Sequence, residues 1–213
     1  MSLPESLGRF VAGILVAWAV TGRAAADDRF DNSTDSSRLL SATLKNGELI
    51  GTEPVRRVFV KAGTNEFAFI LAPGFRMDAS NPEQIVFIST DYACYLTFRI
   101  VGPVPPDARE LDRDTYRELL LSRHPGVKIV NEFSRTVANH SGPAFELQWK
   151  NSSGQFQSER TVFVPSAAGV LEFSLVARPD KSGDGQYVLN SFLQSFRSNE
   201  GGKLEIIPIP GQS

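Results

Sequence analysis

The chain has very few of the residues that staple a fold or bind metal: one cysteine and two histidines among 213 residues. One cysteine cannot form a disulfide within the chain, so the fold has to be held by its core. Cys94 lies in an apolar stretch, where a thiol is usually buried and unreactive. The spacing of His124 and His140 matches no helical or hairpin metal motif. We therefore expect no bound metal and no cofactor.

The chain also has no large excess of positive or negative charge. The chain carries 22 Lys and Arg against 24 Asp and Glu, for a formal net charge of −2, without a basic block. This balance gives no electrostatic attraction to nucleic acid or to an anionic membrane. No serine lies in a G-x-S-x-G elbow, and no glycine pattern fits a dinucleotide site. With no catalytic motif present, we expect a protein that is not an enzyme and has no catalytic residues.

An apolar run long enough to span a membrane is missing as well. Phe10–Val20 is an unbroken run of 11 apolar residues, whereas a spanning helix needs about 20. Arg9 precedes the run, and Ala24–Ala26 offers a small-residue cleavage site, in the order typical of a secretory signal. We expect a cleaved signal peptide over residues 1–26 and export to the periplasm or the medium. An uncleaved anchor and a buried core helix are the alternatives, and no integral membrane segment is expected after cleavage.

The remaining chain divides into three parts. Residues 27–54 are rich in Asp, Ser, Asn and Thr and are expected to form a flexible polar arm. Residues 55–198 carry the strand and helix patterns of one domain. Residues 199–213 contain the structure-breaking run Asn199–Gly202 and a later stretch interrupted by Pro208 and Pro210, which predicts a C-terminal tail.

The domain predicts an α+β fold. Strand-like alternation recurs, as where Leu96, Phe98 and Ile100 alternate with polar neighbours, which indicates a sheet buried on one side. A first helix is expected after Asp112 as N-cap. A second is indicated by an apolar stripe at i, i+3, i+4 and i+7, formed by Leu189, Phe192, Leu193 and Phe196. The order strands, helix, strands, helix favours an antiparallel sheet with both helices packed on one face.

The opposite face of that sheet is expected to be polar and open to a partner. Five side chains are assigned to it from strand alternation, and they form the candidate partner-binding site: Arg99, Glu146, Gln148, Lys150 and Glu172.

Two segments of the domain resemble the PsbP-like family, whose namesake is an extrinsic subunit of photosystem II. These are the extended start Phe67–Phe75, which contains a Pro-Gly-Phe turn, and the closing helix Val188–Arg197, which ends in a Ser-Phe pair. The resemblance covers about residues 57–198. It implies a central antiparallel sheet flanked by helices, in a PsbP-like sandwich, and a role in assembling or stabilising larger complexes. It implies no catalytic residue.

These observations favour an exported, non-catalytic protein that binds or helps to assemble an extracytoplasmic protein partner. One alternative is a carrier of a small ligand or lipid, held in a cavity between helix and sheet. A further alternative is a metal-dependent hydrolase built on the two histidines and the acids that precede the first helix, which are Asp107, Glu110, Asp112 and Asp114.

Overall fold

The computed structural model describes residues 39–50, 53–104, 111–151 and 153–199. The predicted signal peptide, the arm up to residue 38 and the tail after Asn199 lie outside these ranges. All described residues belong to one compact unit.

The strands and helices are numbered in chain order. They are β1 (Leu40–Ile50), β2 (Glu53–Ala62), β3 (Asn65–Ile70), β4 (Phe75–Asp78), β5 (Gln84–Ser89), β6 (Cys94–Gly102), α1 (Arg113–Arg123), β7 (Lys128–Val137), β8 (His140–Lys150), β9 (Phe156–Ser166), β10 (Gly169–Ala177), α2 (Ser182–Ser195) and β11 (Arg197–Asn199). A short 3-10 turn, Pro179–Lys181, leads into α2.

The strands form two antiparallel sheets. The small sheet has the order β1-β2-β3-β11, and the large sheet has the order β4-β5-β6-β10-β9-β8-β7. The expected α+β class and the antiparallel pairing are confirmed.

The main core lies where the small sheet and α2 cover one face of the large sheet; we call it the inner core. Phenylalanine rings fill it. The Phe69 ring lies 4.0 Å from that of Phe192 in α2, and Phe173 of the large sheet lies 5.0 Å from Phe196, centroid to centroid. These rings are at most 4% exposed. Burial of each such side chain contributes about 1.5–3 kcal/mol, so this cluster dominates the stability of the fold.

A second core, which we call the outer core, lies under α1. Tyr116 and Leu120 of α1 pack with Phe145, Leu147 and Phe163 of β8 and β9. The Tyr116 and Phe163 rings are 4.5 Å apart.

The two helices lie on opposite faces of the large sheet, so the expectation of one shared face is wrong. Strand register shows why. Phe145 lies opposite Thr161, whereas Phe173 lies opposite Val162. Side chains of paired residues share a face and successive residues alternate, so the apolar residues of β8 face α1 while those of β10 face α2. Strands buried on both faces carry two apolar sets, and alternation within one strand does not say which set faces which helix.

The predicted flexible arm does not extend through Leu40–Ile50, because these residues form β1. Ala42 pairs with Val60 and Leu40 with Ala62, and Leu40 is 5% exposed. The segment has too little apolar surface to order by itself, but β2 offers it backbone partners, and Leu40 and Ala42 pack into the inner core.

The N-terminal cap of α1 is the one that the sequence predicts, whereas that of α2 is not. The Asp112 side chain accepts hydrogen bonds from the backbone N–H groups of Asp114 and Thr115, as expected of an N-cap. For α2, the sequence offers Asp184 as a cap because it precedes the apolar stripe, but Asp184 lies inside the first turn, where its carboxylate is 3.1 Å from the Lys181 ammonium. Neither helix has the length and hydropathy that crossing a bilayer requires, and the same holds for every helix among the described residues.

Candidate functional site

The five residues assigned to one polar face lie on two faces. Arg99 and Glu172 are paired neighbours on β6 and β10 and lie under α1. Glu146, Gln148 and Lys150 lie on the other face, which also carries the inner core. Glu172 is fully buried and cannot meet a partner. The five side chains therefore form no single surface. As with the two helices, the register of the strands decides on which face of the sheet each residue lies.

Under α1, Glu172 is held by two arginines. Its carboxylate accepts hydrogen bonds from Arg99 at 2.5 Å and from Arg123 at 2.6 Å. Burial alone would raise the pKa of Glu172, but the two guanidinium groups outweigh burial and hold its pKa below the usual value. Burial lowers the pKa of Arg123, and Glu172 opposes that effect. The triad thus anchors the last residue of α1 to the centre of the sheet.

A second carboxylate, Glu159, lies beside this triad and is also satisfied within the chain. One of its oxygens accepts hydrogen bonds from Thr161 at 2.8 Å and from Ser174 at 2.6 Å. The other lies 3.7 Å from Nε2 of His124. The charges beneath α1 thus have their partners inside the molecule, and this region is part of the fold.

The residues of the hydrolase alternative are spread apart. His124 follows the last residue of α1, whereas Asp112 and Asp114 lie at its start, about 18 Å away along the axis. His124 stacks near Trp149, at one end of β8, and His140 begins β8 about 30 Å away. Asp107 and Glu110 lie outside the described residues. Within the described ranges, no three His, Cys, Asp or Glu side chains are arranged to hold a metal ion.

The lone thiol is buried, as expected. Cys94 begins β6 and is 5% exposed. Burial, with Asp91 and Asp184 nearby, raises the pKa of the thiol. A protonated, buried thiol is a poor nucleophile, so Cys94 acts as a packing residue.

A candidate site lies on the inner-core face, near the start of α2. Strands β8 and β9 form four successive cross-strand pairs on this face: Ala144 with Val162, Glu146 with Arg160, Gln148 with Ser158, and Lys150 with Phe156. The first pair belongs to the inner core. The other three pairs lie outside the inner core and are progressively more exposed to solvent. The ladder therefore runs from a buried apolar end to an open polar end.

The open end forms a cleft of about 320 Å³, which we call the β8–β9 cleft. Leu175 and Ala177 of β10 border it and are nearly inaccessible to solvent, while Pro179 and Ser182 border it from the start of α2. Phe156 and Val130 also line it and are 56% and 40% exposed. The cleft thus combines apolar surface with the polar pairs of β8 and β9.

Val130 reaches the cleft because of a bulge. The pairing of β7 with β8 shifts register between Ile129 and Asn131, which leaves Val130 as the extra residue. A bulge re-aims a side chain at a sheet edge. Sequence reasoning missed Val130, because nothing in the run of β7 marks the bulge. It also missed Phe156, because the sequence pattern predicts a strand here only from residue 158, whereas β9 begins at Phe156.

The wall of the cleft carries an ion pair with one unused donor. Nε of Arg160 donates to Glu146 at 2.8 Å, and both side chains are about a quarter exposed. Nη1 of Arg160 is shielded from solvent and has no hydrogen-bond partner among the described residues. The ammonium of the neighbouring Lys150 lies 5.0 Å over the Phe156 ring. The cleft therefore has charged groups of both signs beside apolar surface.

A second concavity, of about 530 Å³, lies where the β7–β8 turn meets the end of α2. Its two arginines are already engaged: Arg135 donates to Asn190 at 2.8 Å, and Arg197 donates to two backbone carbonyls. A larger share of its exposed surface is polar, so we prefer the β8–β9 cleft as the candidate site.

Comparison with known proteins gives similarity of structure only. No family model matches the chain, and no curated protein sequence matches it. The fold is similar to that of PA94, a Pseudomonas aeruginosa protein of unknown function, at 14% identity over 80% of this chain and 99% of that one, with a TM-score of 0.40. It is similar to cyanobacterial PsbP from Synechocystis sp. at 14% identity, over 62% of this chain and 85% of that one, with a TM-score of 0.43.

A third similar structure is LpqN of Mycobacterium tuberculosis, a protein involved in cell envelope biogenesis. It shares 14% identity over 75% of this chain and 91% of that one, with a TM-score of 0.38. The weak resemblance to PsbP that the sequence indicated is confirmed. At this level of identity and TM-score, function has to be argued from the site itself.

Proposed function

We propose that this chain is an exported, non-catalytic protein that binds another extracytoplasmic protein through the β8–β9 cleft. The observation that carries the proposal is the pair of exposed apolar side chains, Val130 and Phe156, lining a cleft that α2 leaves open. Exposed apolar surface rimmed by polar groups is typical of protein contacts. The apolar run at residues 10–20 and the small residues after it support export.

The carrier alternative has less support. It needs a cavity between α2 and the large sheet, but phenylalanine rings fill that space, with Phe192 of α2 in contact with Phe69 and 5.5 Å from Phe87. A co-purified small molecule detected by native mass spectrometry would favour this alternative.

A cross-linked pull-down of the tagged full-length chain, expressed in its own host, tests the proposal. We expect one extracytoplasmic protein in near-equal amount. Val130→Asp should reduce its recovery about tenfold or more, because a charge would enter an apolar contact. Leu121→Asp is a matched control, since Leu121 is 42% exposed but lies on α1, on the other face of the sheet.

Equal recovery with Val130→Asp and the unmodified chain would remove the cleft from the proposal. If a correctly folded, exported chain captured no protein at all, the partner-binding function itself would be rejected.

A further inference from the structure

The large sheet ends at β7, whose outer side pairs with no strand in the part of the chain that the structure describes. Exposed edge strands are usually very short or are interrupted by lysine, proline or a bulge. The edge strands β4 and β11 have four and three residues, and β1 contains Lys45 and shifts register after Asn46. After the bulge at Val130, the segment Asn131–Val137 has no lysine, proline or register shift. This segment, which we call the β7 edge, can therefore accept another strand.

The β7–β8 turn fixes which backbone groups of the β7 edge point outward. Ala138 and Asn139 both have a positive φ, as in a two-residue type I′ turn, and Val137 pairs with His140 across it. Residues that flank such a turn exchange hydrogen bonds, and bonded and non-bonded pairs then alternate along the two strands. Every second residue, counted back from Val137, thus bonds to β8, and the residues between direct their backbone N–H and C=O groups away from it. The outward residues are Glu132, Ser134 and Thr136.

A second copy of the chain offers matching groups. In an antiparallel pairing about a two-fold axis, Ser134 lies opposite Ser134 of the second copy, and Glu132 lies opposite Thr136. All outward residues of both copies then pair with one another, which forms about six backbone hydrogen bonds. Ser134 and Thr136 are exposed, so a second strand can reach them.

Charge favours this register over its neighbours. It brings no like charges together, because Glu132 faces Thr136 and Phe133 faces Arg135. A shift by one step in one direction would put Arg135 opposite Arg135, and like charges directly opposite each other destabilise a strand pair. A shift in the other direction would put Thr136 opposite Val130, where the bulge interrupts the ladder.

We propose that the β7 edge pairs with the β7 edge of a second copy, so that the chain forms a homodimer through one continuous antiparallel sheet. This inference goes beyond the proposed function, which concerns the β8–β9 cleft. Paired residues share a face of a sheet. The clefts of the two copies therefore open on the same side of the joined sheet, and the dimer presents two docking sites to a partner.

Sedimentation velocity of the full-length chain, purified from its own host, tests the dimer over a range of concentrations. We expect the mass of two copies, with dissociation on dilution. Ser134→Pro should weaken the dimer about tenfold or more, because it removes the donor of the central pair without breaking a bond to β8. Ser134→Ala is the matched control: it keeps the backbone N–H and should associate like the unmodified chain. A monomer at all concentrations, or equal association of the three chains, would overturn the inference.

Two further variants test the register. Thr136→Glu places a second carboxylate opposite Glu132, whereas Thr136→Lys places an ammonium there. The dimer of the Glu variant should dissociate about tenfold more readily than that of the Lys variant, since each dimer contains this pair twice. Equal dissociation of the two variants would overturn the proposed pairing.

Thr43→Glu is the matched control for charge, because Thr43 is exposed on β1, at the edge of the small sheet. It should leave association unchanged. Thermal unfolding checks that each variant is folded, and the two Thr136 variants test the inference independently if Ser134→Pro does not fold. Every variant carries the same N-terminal residues, so association through those residues would be equal in all of them and would contradict the inference.

Discussion

The ion pairs on the two faces of the large sheet differ in how deeply they are buried. Beneath α1, Glu172 is fully buried and its carboxylate is shared by Arg99 and Arg123. In the β8–β9 cleft, the Glu146 and Arg160 side chains of the ion pair are each about a quarter exposed. The buried ion pairs hold α1 on the sheet, whereas the partly exposed pair lies where another molecule can reach it. Charged residues in strands thus serve the fold or the site according to how far they are buried.

The largest effect is expected from removing the buried charge of Glu172 beneath α1. Glu172→Gln should lower the free energy of unfolding by roughly 3–5 kcal/mol, because it leaves two arginines without their buried counter-charge. Urea unfolding followed by circular dichroism measures the change. A loss below about 1 kcal/mol would mean that the triad does not hold α1 in place.

Lowering the pH should weaken the same triad of Glu172, Arg99 and Arg123. The pKa of Glu172 is lower in the folded chain than its usual 4.5, so ionised Glu172 stabilises the fold at neutral pH. That contribution is fully present above about pH 4.5 and is lost as the pH falls toward the lowered pKa. Stability measured across this window should fall less steeply in Glu172→Gln than in the unmodified chain, and identical profiles would contradict the assignment.

The smallest effect on stability is expected in the β8–β9 cleft. Glu146→Gln breaks an ion pair that is partly solvated, so it should change the free energy of unfolding by less than about 1 kcal/mol. The same urea titration provides the comparison with Glu172→Gln. A loss as large as that of Glu172→Gln would make both pairs structural and remove the contrast between the two faces.

Much of the fold follows from local patterns in the sequence. The stripe of Leu189, Phe192, Leu193 and Phe196 predicts α2, and all four residues are buried. The Asp112 cap and the alternation in Leu96–Ile100 are equally local and equally correct. These features depend on neighbours within a few residues, which the sequence displays directly.

The site depends on relations between distant strands, which the sequence does not display. Whether Glu146 and Glu172 share a face is decided by the register of β8, β9 and β10. Exposure of Val130 depends on a bulge in β7. For this reason the predicted face contained Glu146, Gln148 and Lys150 but missed Arg160, Phe156 and Val130.

Site-specific photo-cross-linking tests the central claim most directly. Benzoylphenylalanine replaces Phe156 in one full-length chain and Leu121 in another, and each is irradiated in the host. We expect one discrete cross-linked protein from position 156 and none from position 121. A cross-link from position 121 alone would place binding on the α1 face and contradict the account.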